Sequence, residues 1–358
     1  ETSPGRRRSL LTGTLGLCIF LLGMSGAVGL ATEPESSGLV FSLAENGAVP
    51  CWLAGGPFPD TPEIAPGVLD LENERMGFDR DWLKPVGGQD DCRPALGSTV
   101  PLAGRSPVDW KPVAARADGR VDFLEQFFPN THRVAYAFAE LHSPHRQRVE
   151  MRIGSDDGVK MWLNGRKVHE SREPRGWRLD SDRVVVRLRK GQNRLLVKVD
   201  QLILDWALSV RLVDDLGRPI RDVTVVLPGD PKPEIISRLL FEAANVEIEQ
   251  NALSEGDSLV ARLSLTAAAP TTDTAIWGSG IVRDEAGTQV ATLAPMPLAA
   301  MGVRSIETPP LRLPRLPDGR YRLAMIFHGP DRQRFLGMKS VEFYYVHDYA
   351  DWRAKAVQ

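Results

Sequence analysis

Ile153-Gly154-Ser155-Asp156-Asp157-Gly158-Val159-Lys160-Met161-Trp162-Leu163-Asn164-Gly165 decides how this chain is read. Its pattern predicts short strands joined by Ser155-Asp156-Asp157-Gly158, the second ending at Asn164-Gly165. Both breaks are turn chemistry. Asp and Asn hydrogen-bond their own backbone, and Gly takes positive φ without steric cost. Asn-Gly followed by Lys167-Val168-His169 is a strong short-range hairpin signal. The paired carboxylates fall at a strand end, where hard oxygen ligands can converge. The pattern points to a β-sandwich that holds something at a loop, and away from a catalytic pocket.

Outward from this stretch the same alternation recurs. Val134 to Leu141, Gln147 to Ile153, Arg183 to Leu188, Arg194 to Val199 and Trp206 to Leu212 all read as strands. Ser143-Pro144 and Lys190-Gly191-Gln192-Asn193 read as turns. Such spacing, with no helical period between, predicts an antiparallel sandwich or barrel over 39–215. Upstream, Val49 to Ala54 reads as a strand ended by Gly55-Gly56-Pro57-Phe58-Pro59. From Asp60 to Arg105 the chain is irregular. So long a loop in a compact domain is often functional or pinned by a crosslink. Downstream, 216–244 reads as a linker with one strand near 223–227 and a short helix over 234–244. A second β pattern, 245–347, predicts an immunoglobulin-like sandwich, and 348–358 a tail or the start of a helix. The fold class expected is all-β.

Composition is that of an ordinary globular protein: 42% hydrophobic and 25% charged across 358 residues. A net charge of -2 argues against a nucleic-acid partner. Arg6-Arg7-Arg8 precedes an apolar run from Leu10 to Ala31, with Gly29 and Ala31 at small-residue positions. That is the layout of a signal peptide over 1–31, or of an uncleaved anchor, followed by a linker at 32–38. Export to the periplasm, cell surface or exterior follows, with membrane contact only through that segment. Cys18 lies inside the run. Cys51 and Cys92 remain, and in an exported chain they are the expected disulfide. The alternative is a pair of buried thiols.

The block from Tyr136 to Arg211 resembles the galactose-binding-domain-like (jelly-roll) modules of bacterial secreted proteins, which are non-catalytic β-sandwiches. The residues that carry the resemblance are Trp52 through Pro59, Ala135-Tyr136-Ala137 with Glu140, and Gly154 through Gly165. Leu188 through Val199 and Trp206 through Arg211 complete it. The Ser-Asp-Asp-Gly hairpin is also similar to the protective-antigen-type domain of toxins and yeast adhesins. That resemblance implies that Asp156 and Asp157 coordinate Ca²⁺, which in turn holds a glycan. The further ligands of those adhesins have no match here.

The residues leave alternatives beside these implications. Asp156 and Asp157 also suit a turn whose carboxylates satisfy neighbouring backbone N–H groups. Among the eight tryptophans, Trp52, Trp110, Trp162 and Trp206 read as core. Trp177, in the basic loop Arg172-Glu173-Pro174-Arg175-Gly176, is the better exposed candidate for stacking on a sugar. Trp177, Asn164 and Arg175 are therefore the candidate ligand residues. His132, His142 and His145 read as solvated loop residues, since no ligand spacing completes a zinc pattern. Gly-x-Ser-x-Gly, His-Glu-x-x-His and phosphate-binding glycine loops do not occur. Arg183, Arg187, Arg189 and Arg194 form a basic face, solvated or turned to an acidic polymer. The function expected is an exported, non-catalytic binding module for carbohydrate or a cell-surface glycan. The alternatives are the accessory N-terminal region of a larger secreted hydrolase, or a structural protein of envelope assembly with a protein partner.

Overall fold

The computed structural model describes residues 38–65, 67–265, 276–298 and 305–347. The candidate signal or anchor at 1–31, linker residues 32–37 and the segment 348–358 lie outside them. In chain order the first part carries β1 (Gly38–Ser42), β2 (Cys51–Pro59), β3 (Glu63–Ala65), β4 (Val68–Leu69), β5 (Thr99–Val100), β6 (Val108–Ala114) and β7 (Val121–Asp122). Then follow β8 (Arg133–Ser143), β9 (Gln147–Asp156), β10 (Val159–Leu163), β11 (Arg166–Ser171), β12 (Asp182–Leu188), β13 (Gly191–Gln201), β14 (Ala207–Val213) and β15 (Thr224–Pro228). Short helices α1 (Met76–Asp79) and α2 (Gly88–Asp91) punctuate the irregular stretch, and α3 (Pro233–Ala243) follows the strands. The class is all-β, as expected.

Two antiparallel sheets organise this part. The larger has nine strands with the path β11-β10-β13-β8-β2-β6-β5, and β15 pairs with both β8 and β1. The smaller runs β12-β9-β14-β7. Alternation explains the single-sided strands: in β12, Val186 and Leu188 are buried while Val185 and Arg187 are exposed. The centre of the larger sheet is different. Val134 through Leu141 of β8 are all buried, so both faces are covered. The irregular stretch is one cover. Gln89 donates to the Tyr136 hydroxyl at 2.7 Å, and the Lys198 ammonium donates to the carbonyls of Gly77, Phe78 and Arg80. Tyr136 and Lys198 are cross-strand partners on β8 and β13. Trp52, Trp110, Trp162 and Trp206 are buried in the core, as their strand positions predict.

One local expectation is corrected. Ser155-Asp156-Asp157-Gly158 does not close a hairpin. β9 pairs with β12 and β14, whereas β10 pairs with β11 and β13. The motif is an arch that carries the chain from the small sheet to the large one. Turn residues mark where a strand stops, but periodicity carries no information on which sheet receives the next strand. The Asn164-Gly165 hairpin forms as expected between β10 and β11, with φ of 53° and 79°. Both values are left-handed, as a type I′ turn requires. β2 also runs on through Gly55 to Pro59, because an irregularity between Gly55 and Phe58 absorbs the glycines and proline.

Past β15, α3 starts with Pro233 at its first turn, where the missing N–H costs nothing. Ile236, Leu239, Leu240 and Ala243 recur at helical spacing and are all buried. The later strands build a five-stranded sheet from Ala252–Leu253, Phe335–Tyr345, Gly319–His328, Trp277–Arg283 and Gln289–Pro297. A three-stranded sheet joins Ala244–Ile248, Ala261–Leu265 and Ser305–Glu307. No helix among the described residues is long and apolar enough to cross a membrane.

The expected Cys51–Cys92 disulfide is not formed, and both residues are buried free thiols. They sit in different surroundings. The charged neighbour of Cys51 is Glu242 on α3, whereas Cys92 lies near Arg194, Asp81 and Asp91. Burial pushes the Cys92 thiol up to about 12 and Cys51 higher still. Both are therefore protonated small hydrophobes at neutral pH.

Candidate functional site

The arch at 155–158 is a clip. The Asp157 carboxylate accepts the backbone N–H of Arg175 at 2.9 Å through Oδ1 and that of Leu202 at 2.9 Å through Oδ2. Asp156 Oδ2 accepts the backbone N–H of Trp177 at 3.0 Å. The Ser155 hydroxyl donates to the Asp157 carbonyl at 2.8 Å and accepts from Arg175 Nη2 at 2.7 Å. Arg175 also forks onto Asp182, with His169 Nε2 3.2 Å from the same carboxylate. Together these bonds pin the basic loop after β11 against the arch. The glycines are shaped by this closeness: a Cβ on Gly154 would lie 2.5 Å from the Arg178 carbonyl oxygen.

Four of the sequence candidates therefore come together here: Asp156, Asp157, Arg175 and Trp177. Trp177 is half-buried. Its Nε1 donates to Ser209 Oγ at 3.2 Å, and the Arg120 guanidinium lies 5.4 Å from the ring centroid. Burial, with the Asp157 and Asp205 charges behind it, raises the Asp156 carboxyl to about 6. Asn164 lies elsewhere, at the far end of β10, about 20 Å along the strand direction. Its amide bonds Asn193 at 3.0 Å and accepts from the Arg194 N–H at 3.0 Å, so it locks the hairpin onto β13.

Ca²⁺ takes six to eight oxygens. Three of the four carboxylate oxygens of the Asp pair already accept backbone N–H groups. Among the described residues no group of three or more His, Cys, Asp or Glu converges as a metal site. As arranged, the donor set does not fit the ion.

A larger concavity lies on the outer face of the large sheet. The irregular stretch walls a groove of about 870 Å³, with Trp82, Asp60, Arg80, Arg105 and Arg133 among its lining residues. Trp82 stacks on Phe58 with ring centroids 5.7 Å apart, donates Nε1–H to the Gly77 carbonyl at 3.1 Å, and carries the Arg80 guanidinium 4.2 Å from its centroid. Burial, with repulsion from Arg105, lowers the Arg133 guanidinium from its ordinary value. The acids are mostly spent. Asp79 bonds Lys160 and Arg172, and Asp81 accepts the N–H groups of Leu83 and Gln89.

Beneath the groove lies a buried ionic cluster. Asp60 is 1% exposed, and neither of its carboxylate oxygens makes a hydrogen bond of ordinary length and angle, although the Phe78 N–H lies near. Burial first, then the Asp200 charge, raises it to about 7, against the pull of the Phe78 N–H, Arg75 and Lys198. Arg75 Nε bonds Asp200 at 2.6 Å. Burial depresses the Lys198 ammonium to about 7. Sequence reading missed Asp60, Trp82, Arg105 and Arg133 individually. The signal available was the length of the irregular stretch, which is also what builds the wall.

No family model matches the sequence, and no curated protein matches it. Among solved structures it is similar to a β-glucuronidase from an uncultured Clostridium, at 11% identity and a TM-score of 0.27, covering 87% of this chain and 45% of that one. A putative β-galactosidase from Bacteroides fragilis gives 11% identity and 0.24, covering 85% and 41%. A Bacteroides uniformis β-glucuronidase gives 14% identity and 0.22, covering 60% and 28%. The chain thus spans less than half the length of these proteins. Likenesses at such TM-scores are too weak to assign fold or activity to it.

Proposed function

We propose that this chain is an exported, non-catalytic carbohydrate-binding protein, and that the groove beside Trp82 is where a glycan docks. The observation that carries the reading is the lining of that groove: an aromatic ring held rigid by Phe58 beside the forked donors of Arg80, Arg105 and Arg133. Sugar rings carry rows of hydroxyls that forked guanidinium donors can bond, and Trp82, set between Phe58 and the Arg80 guanidinium, holds Arg80 in place at the groove. Pockets of this size with few fixed polar groups suit small ligands. The arch then acts through architecture, as the clip that fixes the loop of Arg175 and Trp177.

The test is calorimetry of the full chain against a panel of plant and bacterial oligosaccharides, with Trp82→Ala and Arg133→Ala. Binding that weakens at least tenfold in both variants, with melting temperature retained in Arg133→Ala, supports the reading. Binding unaffected by either variant, or none across the panel, removes the groove as the site. Ca²⁺ at Asp156 and Asp157, the narrower form of the proposal, requires the arch to rearrange and release carboxylate oxygens that now accept the N–H groups of Arg175, Trp177 and Leu202. Heat of Ca²⁺ binding lost in Asp156→Asn/Asp157→Asn would support it, and no heat would leave the pair as a clip alone.

Asp60 favours a second reading, as part of a hydrolase. A buried carboxyl raised to about 7 at a groove has the acidity of a general acid near neutral pH. Release of reducing sugar, lost in Asp60→Asn, would establish that reading over binding alone.

A further inference from the structure

A separate concavity of about 710 Å³ lies where the edges of the two sheets face each other. β11 ends the order of the large sheet and β12 that of the small one. Its lining includes Arg146, Arg166, Lys167, Arg187 and Arg189, with Asn164 at one end. All five cations are exposed. Lys167 bonds Glu170, and no carboxylate lines the groove. Val185 and Arg187 alternate outward along β12 and Arg189 follows one residue past its end, so the two guanidinium stems stand about 7 Å apart. Val185, 47% exposed, supplies an apolar step on the same face. Asn164 spends its side chain on Asn193 and Arg194 and so shapes the end of the groove.

We propose that this groove binds an acidic polysaccharide, a chain bearing sulfate or uronate carboxylate groups along its length. Arg presents a planar fork that matches both anions bidentately. Cations on edge strands also discourage edge-to-edge pairing. That role needs charges spread along one edge, whereas here they line both edges of a concave slot. The lining contains no Trp, Tyr or Phe on which a nucleobase could stack. A recessed slot does not present its charges to a flat bilayer. The proposal does not depend on the groove of Trp82.

The test uses the full chain with heparin, polygalacturonate, uncharged dextran, phosphatidylglycerol vesicles and single-stranded DNA as probes. Arg187→Ala/Arg189→Ala is the variant, and Arg218→Ala/Arg322→Ala, which removes two exposed arginines outside both grooves, is the control. The expected result is binding to heparin or polygalacturonate that weakens with salt. It should fall at least tenfold in Arg187→Ala/Arg189→Ala and be unchanged in Arg218→Ala/Arg322→Ala, with dextran not bound. Both arginines are exposed, so the double variant should keep the parent melting temperature. Equal binding by the arginine variant, absence of binding to either acidic polymer at low salt, or equally tight binding to vesicles or DNA would overturn the proposal.

Discussion

Asp157→Ala tests whether the paired carboxylates are a clip. The side chain is 7% exposed and accepts two backbone N–H groups, from Arg175 and Leu202, on opposite sides of the arch. Alanine leaves both donors without an acceptor. An unsatisfied buried donor costs about 1–3 kcal/mol, so the two together cost about 2–5 kcal/mol once some water enters. Asp157→Asn keeps one acceptor oxygen and turns an NH₂ toward the other donor, so it should lose a large part of the same energy. The assay is urea unfolding, with hydrogen exchange read at the two amides. Opening that is easier by about 2 kcal/mol corresponds to roughly thirtyfold faster exchange, since each 1.4 kcal/mol is a factor of ten. Exchange should accelerate at Arg175 and Leu202 in both variants, and at Trp177 through the shared loop. A midpoint shift worth less than about 0.5 kcal/mol, the ordinary range for a surface change, with exchange unchanged at both amides would refute the clip.

Lys198→Met removes the ammonium that donates to the carbonyls of Gly77, Phe78 and Arg80. It should destabilise by about 2–4 kcal/mol and expose 76–81 to proteolysis; intact resistance there would count against the account. The folded chain holds the Asp60 proton more tightly than the unfolded one, because its pKa lies near 7 rather than near 4. Stability from this group therefore falls as pH climbs from about 4 to about 7 and is level above. Melting temperature of Asp60→Asn should gain on the parent across that window, and parallel curves would show that burial does not raise the group. Trp206→Ala, at a fully buried site touching Phe123 and Phe127, should cost about 3–5 kcal/mol in denaturant unfolding, and a loss below about 1 kcal/mol would contradict its place in the core. Cys51 and Cys92 should resist alkylation in the native chain and both react in denaturant without reductant, as counted by mass spectrometry; a linked peptide pair would show a disulfide instead.

The all-β class was legible in the sequence because alternation at period two is local and recurs strand after strand. So were the Asn164-Gly165 turn, the helix that begins at Pro233 and the buried tryptophans of β2, β6 and β10. Each is fixed by residues a few positions apart. Partnership between strands is not. β9 and β10 lie two residues apart in sequence and belong to different sheets, and only the packing of those sheets sets which way Asp156 and Asp157 turn. The same holds for the candidate sites. Trp177 and Arg175 meet the Asp pair because a loop folds back over an arch, while Asn164, nearer to that pair in sequence, ends a strand length away. Asp60 and Lys198 are 138 positions apart and share one buried cluster. Residue chemistry specifies what each group can do, but a charge is raised, paired or left unpaired by neighbours that only the tertiary fold assembles.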